Sequence, residues 1–352
     1  MMKEGPEGTF TYREIHRQAG ALSETLRRAP SRFARVASMG PLERFTEVLF
    51  TGCGSSYHIA LYAAHAWGTL LGLRARALPA SEILNFPKAY LHVGARPLVF
   101  AISRSGGTDE TVLAAERMKA MVEDTVIGVT TEPECPLGRT ADGHLSFSEC
   151  PEQSLVTTGS LTCMMFGLLL LADAFGGGAL QAEAAALPEE VAQSLRENER
   201  FLRTYAEDRA LARLIFLGSG PFYALAAEAA LKMIEMALTP AHSYPTLEFR
   251  HGPHLLLSPE TLLVIFPAEA ERPYVNRVIE EARAAEARPL LISVRAIETS
   301  APQLILGARL SELLRPILFA HLIQQLAFWR AVAAGVNPDA PPRLTRIVRW
   351  NG

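Results

Sequence analysis

Glu47-Val48-Leu49-Phe50-Thr51-Gly52-Cys53-Gly54-Ser55-Ser56-Tyr57 passes from an apolar run through a glycine turn into Ile59-Ala60-Leu61-Tyr62-Ala63-Ala64. A second copy of this plan reads Leu214-Ile215-Phe216-Leu217-Gly218-Ser219-Gly220-Pro221-Phe222-Tyr223 and continues from Ala224 to Leu231. Gly-x-Gly-x-x-Tyr occurs in both. A short apolar run ended by glycine and followed by helix formers reads as a buried strand entering a helix, and its recurrence points to a duplication. Two further apolar runs follow each copy: Leu98 to Ser103 and Thr125 to Thr130, then Leu262 to Pro267 and Pro289 to Val294. Helical patterns lie between them, as in Thr111 to Val122 and Tyr274 to Ala287. Alternating β and α with strands apolar on both faces predicts an α/β protein of two similar doubly wound parallel sheets.

The segment from Gly176-Gly177-Gly178 to Leu187-Pro188 ends one apolar helix and precedes a charged helix over Glu189 to Tyr205, so the domain boundary is expected there. The resulting division is an amphipathic helical arm (1–45), a first domain (46–185), a second domain (186–337) and a closing tail (338–352). Pro338, Pro341 and Pro342 predict an extended or irregular tail.

Composition supports two ordinary cores. The chain has 352 residues, 49% of them hydrophobic and 20% charged, more than one core usually supports and far from a disordered composition. A net charge of -3 without a basic tract gives no general attraction to nucleic acid or anionic membranes. Met1-Met2-Lys3-Glu4-Gly5-Pro6 has no apolar signal core, and the apolar stretch Cys163 to Ala172 is too short to span a bilayer, so a cytoplasmic location is expected. Cys53, Cys135, Cys150 and Cys163 form none of the close pairs of metal or redox motifs, and are expected as reduced thiols. Cys135, His144 and Cys150 match no usual metal spacing; neither metal nor cofactor is expected.

Three polar turns of the first domain carry the ligand argument. Gly52-Cys53-Gly54-Ser55-Ser56 leaves a strand for a helix, where free N–H groups and the helix dipole favour an anion, although glycine then serine is also an ordinary helix cap. Ser103-Arg104-Ser105-Gly106-Gly107-Thr108 repeats the arrangement with more donors, and Thr157-Thr158-Gly159-Ser160 precedes the apolar helix. Strand C-termini are where open parallel sheets bind ligands. Tyr57 occupies the third-glycine position of a dinucleotide fingerprint and no P-loop occurs, so a smaller phosphate ester is the expected ligand.

The second domain offers Glu228, Lys232 and Glu235 at i, i+4 and i+7, on one helix face. One reading is a solvated stripe; the other follows from the flanking Ala, Leu, Met and Ile, which would bury the helix, desolvate the carboxylates and raise their pKa values into a range suited to proton transfer. His251, in Glu248-Phe249-Arg250-His251-Gly252-Pro253-His254, is preferred to His254 because Gly252-Pro253 would fix its backbone.

With these motifs together, the chain resembles the sugar isomerase (SIS) family, in particular the isomerase half of glucosamine-6-phosphate synthase and its deaminase-like relatives, over nearly its whole length. The matching elements are Glu14-Ile15-His16 with Gln18, both serine loops, the Glu228/Lys232/Glu235 helix and the His251 segment. The resemblance implies flavodoxin-like domains. It also implies that Ser55, Ser56, Ser103, Ser105 and Thr108 hold a sugar phosphate, with Thr157 and Thr158 near the sugar and Arg104, in place of a glutamine, adding a phosphate contact. Glu235 would shuttle the proton between C1 and C2, Lys232 and Glu228 would support it, and His251 would assist ring opening from the neighbouring subunit of a homodimer. Two departures bear on the reaction. Only a short arm stands where the synthase has a glutaminase domain, so glutamine use is not expected. Arg346 takes the place of the Schiff-base lysine, and arginine is too basic to be an amine nucleophile. Deamination of glucosamine 6-phosphate to fructose 6-phosphate is therefore expected, with aldose–ketose isomerisation, deglycation and a non-catalytic sugar-phosphate sensor as alternatives.

Overall fold

The computed structural model describes residues 6, 9–37, 40–91, 94–122 and 126–350. In chain order the elements are α1 (Phe10–His16), α2 (Gln18–Ala37), β1 (Glu47–Gly52), α3 (Ser55–Leu71), β2 (Ala75–Pro79), α4 (Ala80–Asn85), α5 (Pro87–Tyr90) and β3 (Pro97–Ile102). Then come α6 (Asp109–Lys119), β4 (Val126–Thr130), α7 (Pro136–Thr140), β5 (Gly143–Ser146), α8 (Gly159–Phe175) and α9 (Gln181–Ala206). The remainder are β6 (Arg213–Gly218), α10 (Pro221–Ala237), β7 (Ala241–Tyr244), β8 (Thr261–Phe266), α11 (Arg272–Ala284), β9 (Arg288–Ser293), β10 (Gln303–Ile305) and α12 (Arg315–Ala333). Thr125, expected to open a strand, lies outside the described residues.

The strands form two five-stranded sheets, ordered β2-β1-β3-β4-β5 and β10-β9-β8-β6-β7, parallel throughout. The expected α/β class with two doubly wound parallel sheets is what the chain adopts. In each sheet the first strand of the copy, β1 or β6, has neighbours on both sides, which creates the switch in strand order where such sheets open a crevice.

The chain divides into two compact units. The first-sheet unit comprises Gly20–Glu152, Gly159–Ala185 and Thr345–Gly352; the second-sheet unit comprises Met1–Ala19, Gln153–Thr158 and Ala186–Leu344. In the first, β1, β3 and β4 are buried along their whole length, as near-continuous apolar strands covered on both faces must be. Phe50 stacks on Phe100 at 5.0 Å, Trp67 from α3 closes on Phe100 at 5.1 Å, and the Trp67 indole donates to the Leu168 carbonyl at 3.0 Å. In the second, Ile215, Leu217, Leu263 and Ile265 pack with Val275, Val278 and Ile279 of α11. Phe222 and Phe266 stack on Phe319 of α12.

Three features differ from expectation. The edge strands β2, β5, β7 and β10 are short and mostly half-buried, so their sequences lack the apolar signal. Helix α9 begins at Gln181 and carries Pro188 inside it, because the glycines that end α8, with Gly177 and Gly178 at positive φ, supply the break assigned to the proline. Cys150 and Cys163 lie sulfur to sulfur, a proximity that their spacing in the sequence did not predict. No helix among the described residues is long and apolar enough to cross a membrane.

Candidate active site

In the first-sheet unit, β1 ends in a turn where Gly54, at φ 55° and ψ -128°, is the cap of α3, so Ser55 and Ser56 occupy its first two helical positions. Gly52 is required for a different reason: a Cβ there would lie 2.8 Å from the Ile102 carbonyl of the next strand. The serines are therefore not caps; they stand with the N–H groups of a 17-residue helix N-terminus, an anion-favouring position. Burial raises the pKa of the half-buried Cys53 thiol in the same turn, which keeps a competing negative charge away.

At the end of β3 the chain folds into a tight polar loop. Ser103, 2% exposed, is 3.2 Å from Thr108, its hydroxyl donating to the Thr108 hydroxyl, and Ser105 accepts from the Gly107 N–H at 3.2 Å. Gly106 has φ 62°, and a Cβ on it would run into the Cys135 sulfur. Thr108 is the backbone cap of α6, yet its side chain makes no capping bond.

Behind the loop is a residue that motif reading passed over. Glu152 is 7% exposed and accepts from Arg104 at 3.2 Å, from the Ser160 N–H at 2.9 Å and from the Ser160 hydroxyl at 2.7 Å. The Arg104 charge is thus answered by a buried carboxylate. The Glu152 carbonyl in turn accepts from the Arg346 guanidinium at 2.6 Å. The tail continues along the loop: the Asp109 N–H donates to the Val348 carbonyl at 3.4 Å, and the Trp350 N–H to the Asp109 carboxylate at 2.9 Å. Ser55, Ser56, Ser103, Arg104, Ser105, Thr108 and Arg346 all belong to this unit.

In the second-sheet unit, α10 starts from a turn of the same shape and buries most of its surface. The Lys232 ammonium, fully buried, lies 3.3 Å from Glu228 and 2.5 Å from Glu235; the carboxylate side chains are 2% and 22% exposed. Burial alone would push Lys232 toward its neutral form, but the charges of Glu228 and Glu235 outweigh it, so its pKa lies above the ordinary lysine value. The solvated-stripe reading fails for this face. The expectation of desolvated carboxylates holds for Glu228 only, since Glu235 keeps solvent contact, and both have Lys232 as counter-charge.

His251 is exposed at the end of the short turn Glu248–Arg250, within which Phe249 is buried and Arg250 bonds Glu281 at 2.8 Å. Thr158 is fully buried and Thr157 half-buried, both in this unit. Among the described residues no group of three His, Cys, Asp or Glu is arranged to hold a metal. His144, weighed above as a ligand, pairs instead with Thr130 at 2.8 Å.

The profile of the SIS domain matches residues 43–172 and 210–302. The chain belongs to the SIS domain family. Among curated relatives of this SIS chain, the isomerizing glutamine–fructose-6-phosphate aminotransferase of Methanothermobacter thermautotrophicus is 26% identical over 358 residues, covering 99% of this chain and 58% of that protein. That of Gloeobacter violaceus is 29% identical over 364 residues, covering 96% and 58%. This chain thus spans 58% of the length of those two relatives. Among solved structures, glucosamine-6-phosphate deaminase from Thermotoga maritima aligns with TM-score 0.79 and 27% identity over 97% of this chain and 99% of its own. Tagatose-6-phosphate ketose/aldose isomerase from Escherichia coli shares the SIS fold at TM-score 0.87 and 24% identity, with 99% of both chains covered.

Proposed function

We propose that this SIS chain is an enzyme acting on a hexose 6-phosphate, and that its reaction converts glucosamine 6-phosphate and water to fructose 6-phosphate and ammonia. The observation that carries the reading is the Glu228–Lys232–Glu235 arrangement, in which a buried ammonium fixes a carboxylate that remains open to solvent. An oriented, accessible carboxylate is what proton transfer beside a carbonyl requires. Similarity to the Thermotoga maritima deaminase supports the substrate.

In this reading Ser55, Ser56, Ser103, Ser105 and Thr108 hold the phosphate, Arg104 adds positive charge beside it, and Thr157 and Thr158 meet the sugar. His251 passes a proton during ring opening, exposing the C1 aldehyde. Glu235 removes the C2 proton and returns it to C1, which leaves an imine at C2; water adds there and ammonia departs. Lys232 steadies the carboxylate charge before and after the transfer. Isomerisation of a hexose 6-phosphate is the second reading, favoured by the fact that Glu235, Lys232 and His251 serve it equally and none recognises nitrogen.

The exposure of His251 leaves it open to a neighbouring chain, which supports a homodimer in which this residue serves the partner's site. Incubation with glucosamine 6-phosphate, with ammonia and fructose 6-phosphate measured together, tests the reaction. Ketose without ammonia from an unaminated hexose 6-phosphate selects isomerisation, and no product from any hexose phosphate refutes the enzyme. Mixing inactive His251→Ala and Glu235→Gln chains should restore part of the activity if His251 crosses the interface.

A further inference from the structure

The segment from Gln153 to Thr158 has no helix or strand of its own, yet it is held at successive positions by the N-terminal arm and by two later elements. Glu14 of α1, only 3% exposed, accepts the Gln153 N–H at 2.5 Å, the Ser154 N–H at 3.3 Å and the Ser154 hydroxyl. The Leu155 N–H donates to the Asp339 carbonyl at 2.9 Å. The Asp339 carboxylate meanwhile accepts from the Phe10 N–H at 3.0 Å and the Thr11 N–H at 2.7 Å, satisfying backbone donors at the start of α1. The far end is fixed by an amide relay. Gln18 donates to the Ile15 carbonyl at 2.9 Å and to the Gln324 amide oxygen at 2.7 Å, and Gln324 donates to the Thr158 carbonyl at 3.1 Å. Because Gln18 has carbonyl oxygens on its nitrogen side, its orientation is set, and it sets that of Gln324.

Glu14, on the seven-residue helix α1, places a buried carboxylate on donors of a segment outside its own helix. These bonds hold Gln153, Ser154 and Leu155 on one side of Thr157 and the Thr158 carbonyl on the other, the Ser154 hydroxyl also lies 3.1 Å from the Val156 carbonyl, and Thr157 is half-buried between them. We infer that Glu14 and Gln18 are positioning residues that fix the backbone of Thr157 for the substrate. The inference rests on the proposed function, in which Thr157 meets the sugar. Neither residue touches the ligand: Glu14 acts through Gln153 and Ser154, and Gln18 through Gln324 and Thr158.

Two kinds of variant test it. Glu14→Gln keeps the shape but weakens the acceptors. Gln18→Glu keeps the shape but removes the donor, so the Gln324 amide turns its nitrogen toward the new carboxylate and its oxygen against the Thr158 carbonyl. Gln18→Met removes the donor without adding charge and covers the case in which the buried carboxylate prevents folding. Steady-state kinetics with glucosamine 6-phosphate, inhibition by inorganic phosphate and deuterium exchange are measured on the full chain. Expected is a roughly tenfold to hundredfold fall in kcat, the range for a small misplacement of a positioning group, with the inhibition constant for phosphate changed less than about twofold. Amide exchange should accelerate within 153–158 and stay unchanged in β6 and β8. Loss of kcat in parallel with phosphate affinity, unchanged kcat, or exchange accelerated throughout the second-sheet unit would overturn the inference. If the wild-type chain turns over no hexose phosphate, the proposed function has failed and exchange decides the clamp alone: acceleration confined to 153–158 upholds it, and no acceleration refutes it.

Discussion

His321 makes the stability of the second-sheet unit depend on pH in a calculable way. It lies in α12 at 1% exposure, and burial lowers its pKa from 6.5 to about 3, with Gln325 opposing the shift and His16 adding to it. The folded chain thus refuses a proton that the unfolded chain accepts below pH 6.5. Stability is at its full value above pH 6.5 and declines as the pH falls toward 3, where the folded form also protonates. Each pH unit within that window costs about 1.4 kcal/mol, so at pH 4.5, two units below the unfolded pKa, this one group removes about 3 kcal/mol. That is a large share of the 5–15 kcal/mol, roughly, that holds a domain folded. Urea unfolding followed by circular dichroism, at pH 7.5 and pH 4.5, on wild type and His321→Leu, measures it. Carboxylates titrate alike in both chains and cancel in the difference. The variant should lose about 3 kcal/mol less than wild type between the two conditions. Equal losses would refute the assignment of acid sensitivity to this imidazole.

Lys232→Met should leave Glu228 buried without a counter-charge; a loss of about 3–5 kcal/mol by urea unfolding is expected, with turnover abolished. Trp67→Ala should cost about 3–5 kcal/mol, because the indole fills the space against Phe50 and Phe100, and the melting temperature reads it. Gly106→Ala should destabilise by about 1–3 kcal/mol, since φ is 62° there and the added methyl meets Cys135, and it should weaken binding of inorganic phosphate measured by calorimetry. Glu152→Gln should remove the charge facing Arg104 and loosen the start of α8 together; unchanged phosphate affinity and unchanged stability would show that the buried pair is idle.

How far the sequence carried the reading depends on what each signal measures. The central strands were legible because burial on both faces leaves an unbroken apolar run, as in Thr261–Phe266. Edge strands such as Ala75–Pro79 were not, because their residues are half-exposed and carry Arg76 into an ion pair with Glu47 at 2.8 Å, a contact that only the folded sheet creates. The serine loops were visible as densities of donors in local sequence. Glu152 was invisible for the opposite reason: its three donors come from Arg104 and Ser160, and no spacing rule links a loop at 104 to a carboxylate at 152. The Glu228–Lys232–Glu235 face was legible as a helical spacing, but the spacing could not tell that the lysine would sit buried between the two carboxylates.

The duplicated turns separate what backbone geometry contributes from what side chains contribute. Gly54 and Gly220 adopt the same conformation, φ 55° and ψ -128° against φ 56° and ψ -129°, and both open 17-residue helices beside a switch in strand order. By dipole and topology alone the two helix starts are equivalent. Their first two helical residues are not. Ser55 and Ser56 bring hydroxyls, with the Ser56 N–H turned to the Cys53 carbonyl at 3.1 Å, whereas Pro221 has no N–H and Phe222 is buried against Phe319. Proline is well suited to a helix start because it gives up a donor that the helix does not use, and that donor is the one an anion would need. The second turn therefore keeps the backbone of the first without its hydroxyls and without an N–H at the first helical position. What the second domain retains from the duplication is a rigid helix start, and four turns along that helix the rigidity holds the Glu235 carboxylate in a fixed place.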